Sequence, residues 1–399
     1  MGSYLCLLSG SSTEKGHGGL LTATVKTHRG TRRLVVAVTG VGGGVGQAVL
    51  RALGHSRLVR RTIGFDMNPE SVGLFLCERG FVVPPAADPS YADRLLDVCV
   101  HEGVDVLLPG SDPELLPLAL AKGRFAEAGV RIVVSGPEAI RLVRDKLMTA
   151  RFCAQRAIPF ARTVPVEEAS ELAQQVGFPL VVKPIGGSAT RDVHVAFGLE
   201  ELRRYVERGG LIAQEYLAPS SWRIDRSRLR SSDVYIDGIL RQEEEISVQL
   251  VLGRDGTQLG CFMSRNRLMN GVPMLIEPEF QPAVLETASL MGRALVECGL
   301  VGPCNLQGRW TESGIVFFEV NLRFTGITAM RTAMGFQEVE ATLRHLHLGE
   351  STGSVIGILR QPSDVVCLRY VTEQLVPRDE LEVYRSADRR GIGGRRGTG

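Results

Sequence analysis

Between residues 34 and 134, short apolar β-branched runs alternate with amphipathic stretches, and that alternation leaves few folds open to the chain. The runs are 34–39 (LVVAVT), 62–66 (TIGFD), 81–84, 104–109 (VDVLLP) and 130–134 (VRIVV), and stretches such as 91–102 and 114–128 carry helical spacing. Strands linked by helices run parallel, because each helix returns the chain to the same end of the sheet, so a parallel α/β sheet is predicted. Glycine punctuates its start. Gly40-Val-Gly-Gly-Gly-Val-Gly46 closes the first strand and opens a helix, and Asp66 ends the next strand, which is the spacing of a dinucleotide fingerprint. Such a turn can hold pyrophosphate at a helix N-terminus, but glycine also lets a helix pack tightly on its sheet with no ligand. An NAD(P)-dependent oxidoreductase is therefore one reading, although no candidate hydride-transfer site accompanies the loop.

From residue 135 the pattern changes. Pro137 starts a helical pattern running through Asp145 and Lys146, and a further helix runs to Arg156. Residues 178–183 (FPLVVK), 193–196, 210–215 (GLIAQE), 246–252 and 258–262 read as strands, with one good helix, 199–207, among the first three. This is α+β, more antiparallel in character. A strand pair follows, 302–310 and 315–320, with Glu312-Ser313-Gly314 at its turn. Residues 217–242, with Trp222 and arginines at 223, 226, 228, 230 and 241, fit no strand pattern and read as an inserted loop.

At 399 residues the chain exceeds one ordinary core. The expected layout is a flexible leader at 1–33, the α/β domain at 34–134, the α+β domain at 135–350 with an insertion at 218–242, and a C-terminal segment at 351–399 whose end is disordered. A net charge of +2 gives no reason to invoke nucleic acid. Eight cysteines without a C-x-x-C pair suit reduced thiols in the cytoplasm better than disulfides or zinc. No apolar run is long enough to span a bilayer, and residues 4–8 lack the length and charged flank of a signal peptide.

The chemistry is concentrated in residues 317–323 (FFEVNLR). Strand alternation puts Glu319, Asn321 and Arg323 on one face, and Gln307 on the preceding strand can reach the same point from across the pair. A carboxylate and amide oxygens are hard ligands suited to magnesium carrying a triphosphate, and a guanidinium beyond them can hold phosphate in a fork. Standing alone, such a motif reads more readily as a half-exposed strand with a salt bridge, but here it does not stand alone. Upstream, Lys183 ends a strand and precedes Gly186-Gly187-Ser188-Ala189-Thr190, a small-residue loop whose backbone N–H groups can fold over phosphates. Gln214-Glu215-Tyr216-Leu217 closes another strand, where backbone groups beside an apolar Leu can read a base edge.

Together these residues resemble the ATP-grasp superfamily, and in detail its carbamoyl-phosphate-synthase-like branch of carboxylate-amine ligases, from about residue 35 to about residue 349. The resemblance implies a Rossmann-like pre-ATP-grasp domain followed by an ATP-grasp domain of two α+β subdomains. Its cofactors would be ATP and Mg2+, or Mn2+ in its place. Asp145-Lys146 followed by Ala157-Ile-Pro159 is similar to the family's DK…GIP segment, implying that Lys146 contacts the phosphates, as would Lys183, Gly187 and Ser188. Glu215, Tyr216 and Leu217 would line the adenine hinge, and Glu245 resembles the acid that binds the ribose. Gln307, Glu319 and Asn321 match the metal ligands, Arg323 would face phosphate or acyl phosphate, and one of Arg265 and Arg267 would face the transferred phosphate. The implied reaction activates a small-molecule carboxylate as an acyl phosphate and couples it to an amine, in the manner of an amino-acid or peptide ligase. A homodimer is a family-level expectation. The chain departs from the pattern at Ala189 and Asp192, where glycines are usual, at Leu322, where proline is usual, and in the insertion between Glu215 and Glu245. A non-catalytic nucleotide-binding regulatory protein is the remaining alternative.

Overall fold

The computed structural model describes residues 33–187, 192–222, 226–236, 238–269, 271–311, 314–362 and 364–390. The expected leader, Arg33 apart, lies outside these residues, as do Ser188, most of the small-residue loop and the last nine residues.

The first layer is a five-stranded parallel sheet of order β3-β2-β1-β4-β5, built from β1 (Leu34–Val38), β2 (Val59–Asp66), β3 (Arg79–Val82), β4 (Val106–Leu108) and β5 (Arg131–Ile132). The central strand is buried along its length because successive side chains enter different cores: Val35 and Ala37 one, Leu34, Val36 and Val38 the other. The helix Asp112–Glu127 opens with a capping box between Ser111 and Glu114. Glu114 also accepts the Thr39 hydroxyl at 2.6 Å, which ties this helix start to the end of β1.

Two antiparallel sheets follow. The four-stranded one has the order β6-β9-β7-β8, with β6 (Thr163–Pro165), β7 (Leu180–Pro184), β8 (His194–Ala196) and β9 (Leu211–Glu215). The six-stranded sheet has the order β16-β15-β12-β13-β14-β17. Its members are β12 (Gln242–Leu252), β13 (Gln258–Met269), β14 (Val272–Pro278), β15 (Gly302–Thr311), β16 (Gly314–Asn321) and β17 (Cys367–Leu368). Along β12 the alternation is strict: Ile246, Val248 and Leu250 join the core shared with the parallel layer, while Glu245, Ser247 and Gln249 take the other face.

Three departures from the sequence pattern bear on the site. The helical pattern beginning at Pro137 breaks at Asp145, which is extended (φ −92°, ψ 106°) and accepts the N–H groups of Leu147 and Met148 at 2.9 Å. Lys146 thereby opens a new helix, Lys146–Gln155, with Asp145 as its N-cap. The inserted stretch is less irregular than its composition predicts: it holds a short helix, Ser231–Val234, and a two-stranded ribbon of β10 (Tyr235–Ile236) and β11 (Ile239–Leu240). The C-terminal segment also carries a helix, Arg378–Arg390, whose Tyr384 is fully buried edge-on to Phe75, with ring centroids 5.1 Å apart.

Candidate active site

A cavity lies between the four-stranded and six-stranded sheets. Lys146, Lys183 and Gly187 line it together with Gln214, Glu215, Tyr216, Leu217, Glu245, Arg309, Phe318 and Glu319. Residues separated by more than 170 positions thus share one wall. Strand geometry places them: Lys183 is near the end of β7, and Gln214 and Glu215 close the neighbouring β9. Burial pushes the Lys183 ammonium down to about 8, against the attraction of Glu319 and with repulsion from Lys146 adding to the shift. Its Nζ donates to Gln214 Oε1 at 2.7 Å and stands 5.9 Å from the centre of the Phe318 ring. Lys146 reaches the same region and donates to the Gly187 carbonyl at 3.0 Å, which ties Gly187 to the helix that carries Lys146.

A second cavity adjoins the first through Glu245, Phe318 and Glu319 and runs toward the parallel sheet. Its walls are Asn266, Leu268, Asn305, Gln307, Asn321, Arg323 and Ile327 on one side and Gly43, Gly44, Gly110, Ser111 and Asp112 on the other. Glu319 and Asn321 enter it because β16 carries a bulge. Gln307 pairs with Glu319 while Gly308 pairs with Phe317, so Phe318 is the extra residue. The bulge keeps Phe317 fully buried in the core and still presents Glu319, two positions on, to the cavities. Uninterrupted alternation would put both on one face.

The amide groups here have defined orientations. Gln307 donates Nε2 to Glu245 at 3.1 Å, and Asn321 donates Nδ2 to Glu319 at 3.2 Å. Gln307 Oε1 and the Glu319 carboxylate remain as hard oxygen donors, and Asn321 Oδ1 accepts from Arg323 Nη2 at 3.2 Å. One carboxylate with amide oxygens is a donor set that fits a divalent cation of the magnesium class. Glu245 is 4% exposed, and burial raises its pKa to about 7, opposed by Arg309 and helped by Glu319.

Arg323 reaches the cleft but is already met by a carboxylate. Its Nε and Nη2 donate to the two oxygens of Asp112 at 2.8 and 2.6 Å, a fork across the cleft from the six-stranded sheet to the parallel layer. Arg265 and Arg267 are not brought to either cavity. Arg265 pairs in register with the core residue Ile246, opposite in face to Glu245, and binds Glu279 at 3.0 and 3.2 Å. Arg267, two residues on, is exposed. Between them Asn266, 2% exposed, takes the cleft face, so strand parity gives the position to an amide rather than a guanidinium. Residues of the two cavities that escaped the sequence reading include Asn266, Asn305, Asp112, Phe318 and Arg309, which donates to the Leu217 carbonyl at 2.5 Å. Arg309 had a usable signal, since it lies two positions beyond Gln307 on one strand.

Packing or backbone conformation accounts for Gly40, Gly42 and Gly46 of the glycine loop, whereas Gly43 and Gly44 line the second cavity. Gly40 has φ +58°, and a Cβ on Gly42 would stand 2.2 Å from Ser71 Oγ, while one on Gly46 would stand 2.4 Å from the Gly40 carbonyl. Asp66, the acid of the fingerprint, accepts the Gly42 N–H at 2.6 Å and the Asn68 N–H at 2.9 Å.

Residues 37–133 match the family described as PylC-like, N-terminal domain. The chain is 26% identical over 146 residues to the carbamoyl-phosphate synthase of Methanobrevibacter smithii, an overlap of 36% of this chain and 38% of that protein. It is 26% identical over 251 residues to the carbamoyl phosphate synthase large chain of Pseudomonas putida, covering 59% of this chain and 21% of that one. The chain therefore spans well under half the length of these curated relatives. Among solved structures, the biotin carboxylase domain of Hydrogenobacter thermophilus 2-oxoglutarate carboxylase, in complex with MgADP and bicarbonate, superposes with a TM-score of 0.59 at 19% identity, over 83% of this chain and 73% of that one. The N5-carboxyaminoimidazole ribonucleotide synthetase of Thermus thermophilus superposes with a TM-score of 0.58 at 19% identity, over 79% of each chain.

Proposed function

We propose that this chain, which is similar to carbamoyl-phosphate synthases, is an ATP-grasp enzyme of that branch and an ADP-forming carboxylate-amine ligase. The observation that carries the reading is the junction of the two cavities at Glu319: two lysines lie on the nucleotide side, and an amide-lined cleft lies on the other. The strand end at Glu215, Tyr216 and Leu217, with Val181 and Val195 beside it, forms an apolar slot for the base. Lys146 and Lys183 hold the phosphates, with Gly187 beside them. Gln307, Glu319 and Asn321 hold Mg2+, for which Mn2+ can substitute because it takes the same oxygen donors. The bound ion supplies charge neutralisation where two anions must meet.

The residues of this chain then perform the rest. The acid substrate lies in the second cavity, its carboxylate near Arg323 and Asn321, and attacks the terminal phosphate of ATP to give an acyl phosphate and ADP. Lys183 offsets charge on the transferred group, and the amine attacks the acyl carbon, releasing phosphate. Arg323, oriented by the Asp112 fork, stabilises the oxyanion that develops in that step. Asn266, Asn305 and Ser247 line the cleft with neutral hydrogen-bonding groups, and Leu268, Val272 and Ile327 give it an apolar side, a lining suited to an amino acid or small peptide.

The test is ADP release from ATP in the presence of paired acids and amines, with the amino acids as the first panel. Glu319→Gln keeps the shape and removes the charge, so it is expected to abolish turnover, a loss of at least about 100-fold, while leaving the unfolding transition nearly unchanged. Unchanged turnover in that variant would contradict the ligase reading.

A further inference from the structure

Residues 218–242 separate Glu215 from Glu245, and the nucleotide reading so far gives them no part. Two of their side chains nevertheless stand in the wall of the nucleotide cavity: Leu240, beside the apolar slot, and Arg241. The stretch is anchored to the strands that form the slot. Leu229 and Val234 are buried in one cluster with Val195 and Tyr216, and Trp222, Tyr235 and Leu240 pack on it. The Tyr235 hydroxyl accepts the Val195 N–H at 3.0 Å, which fixes the ribbon against β8.

Arg241 is held from three sides. Its Nη2 donates to Glu243 Oε1 at 2.7 Å, its Nη1 to the Asp233 carbonyl at 3.3 Å, and its guanidinium lies 5.0 Å from the centre of the Trp222 ring. Trp222 is itself held, donating Nε1 to Glu243 Oε2 at 3.4 Å. A planar cation fixed in this way, beside an apolar slot and near Tyr216, can pack on a purine and donate to sugar hydroxyls with little further loss of freedom.

We propose that the insertion joins the nucleotide site through Leu240, Arg241 and Trp222, with Arg241 contacting the base and sugar of a bound purine nucleotide and Trp222 holding it there. This rests on the ligase reading above, because the ligand is the nucleotide of that reaction.

Trp222 makes the test direct, since Trp310 is the chain's other tryptophan. In a Trp310→Phe background, titration with MgADP is expected to change Trp222 fluorescence, and Arg241→Met is expected to weaken MgADP binding about tenfold and to suppress that change. Arg241→Lys, which keeps charge and loses the planar fork, should recover only part of the affinity. Equal unfolding temperatures without nucleotide establish that the variants are folded; if Arg241→Met is not, Trp222→Phe carries the same affinity test. If MgADP binds with unchanged affinity in the Met and Phe variants and Trp222 does not respond, the role of the insertion is overturned while the ligase reading stands. If MgADP does not bind the parent chain, both fall.

Discussion

Lys183 shows what the proposed phosphate site costs the protein that carries it. Its ammonium is 6% exposed, satisfied by Gln214 and not by a carboxylate, and burial has already moved it to about 8. Nucleotide phosphates would restore the charged form, so binding and protonation are linked. The sign follows. Below about pH 8 Lys183 is charged before and after binding, and MgADP affinity is flat; above it the free protein loses the proton that the complex retains, and affinity falls by about tenfold per pH unit until the bound form also titrates. Calorimetric titration from pH 7.5 to 9.5 checks this, and Lys183→Met should bind weakly with no break near pH 8. At this scale part of the site was legible, because a strand assigns alternate residues to one face: Glu319 with Asn321 follows from parity, whereas Gln307 meets Glu319 through the bulge at Phe318. Arg265 and Arg267 show the limit. Both were named as candidates, and the same parity turns them away from the cleft in favour of Asn266, because which face of β13 is inward depends on β12 and not on local sequence.

Elements are held in place around the site by one buried pair. Arg331, fully buried, donates Nε to Glu338 at 2.8 Å and Nη2 to Gln249 on β12 at 3.0 Å and to Thr325 at 2.9 Å. It thereby joins the turn after Arg323 to the strand that carries Glu245. Arg331→Met leaves Glu338 buried without its cation and is expected to lower the free energy of unfolding by about 3–5 kcal/mol, whereas Arg331→Met with Glu338→Leu should lose less. Urea unfolding of the three proteins reads this, and a double variant as destabilised as the single one would contradict it. The strands of the parallel sheet were readable from β-branched runs bounded by glycine, since their burial on both faces demands that composition. Others were not. β14 has prolines at residues 273 and 278, β17 is two residues long, and the charged helix Arg378–Arg390 contributes the fully buried Tyr384 to a core that includes Leu74, more than 300 residues back along the chain. The break at Asp145 carried a local signal, an N-cap residue, that the stronger helical periodicity on both sides obscured.

At the scale of the molecule, the cleft exists because the six-stranded sheet faces the loops at the ends of the parallel strands. The Asp112–Arg323 fork, between residues 211 positions apart, spans that boundary. Pattern could indicate a parallel layer followed by antiparallel ones, and residue types could indicate phosphate and divalent-cation chemistry. The meeting of Asp112 with Arg323 is set by packing between layers and leaves no mark on either local sequence. The glycine loop gains meaning at the same scale: Ser71 and Asp66 fill the space over Gly42, so close packing explains that glycine of a fingerprint that locally suggests NAD. The most direct measurement is therefore the unfolding temperature with MgADP, compared with NAD and NADP, for the parent chain and Glu319→Gln. A ligand at about 100 times its dissociation constant stabilises by about 2.7 kcal/mol. The account predicts that shift with MgADP in the parent chain, a reduced one in Glu319→Gln, and none with either dinucleotide; stabilisation by NAD or NADP with no response to MgADP would contradict it.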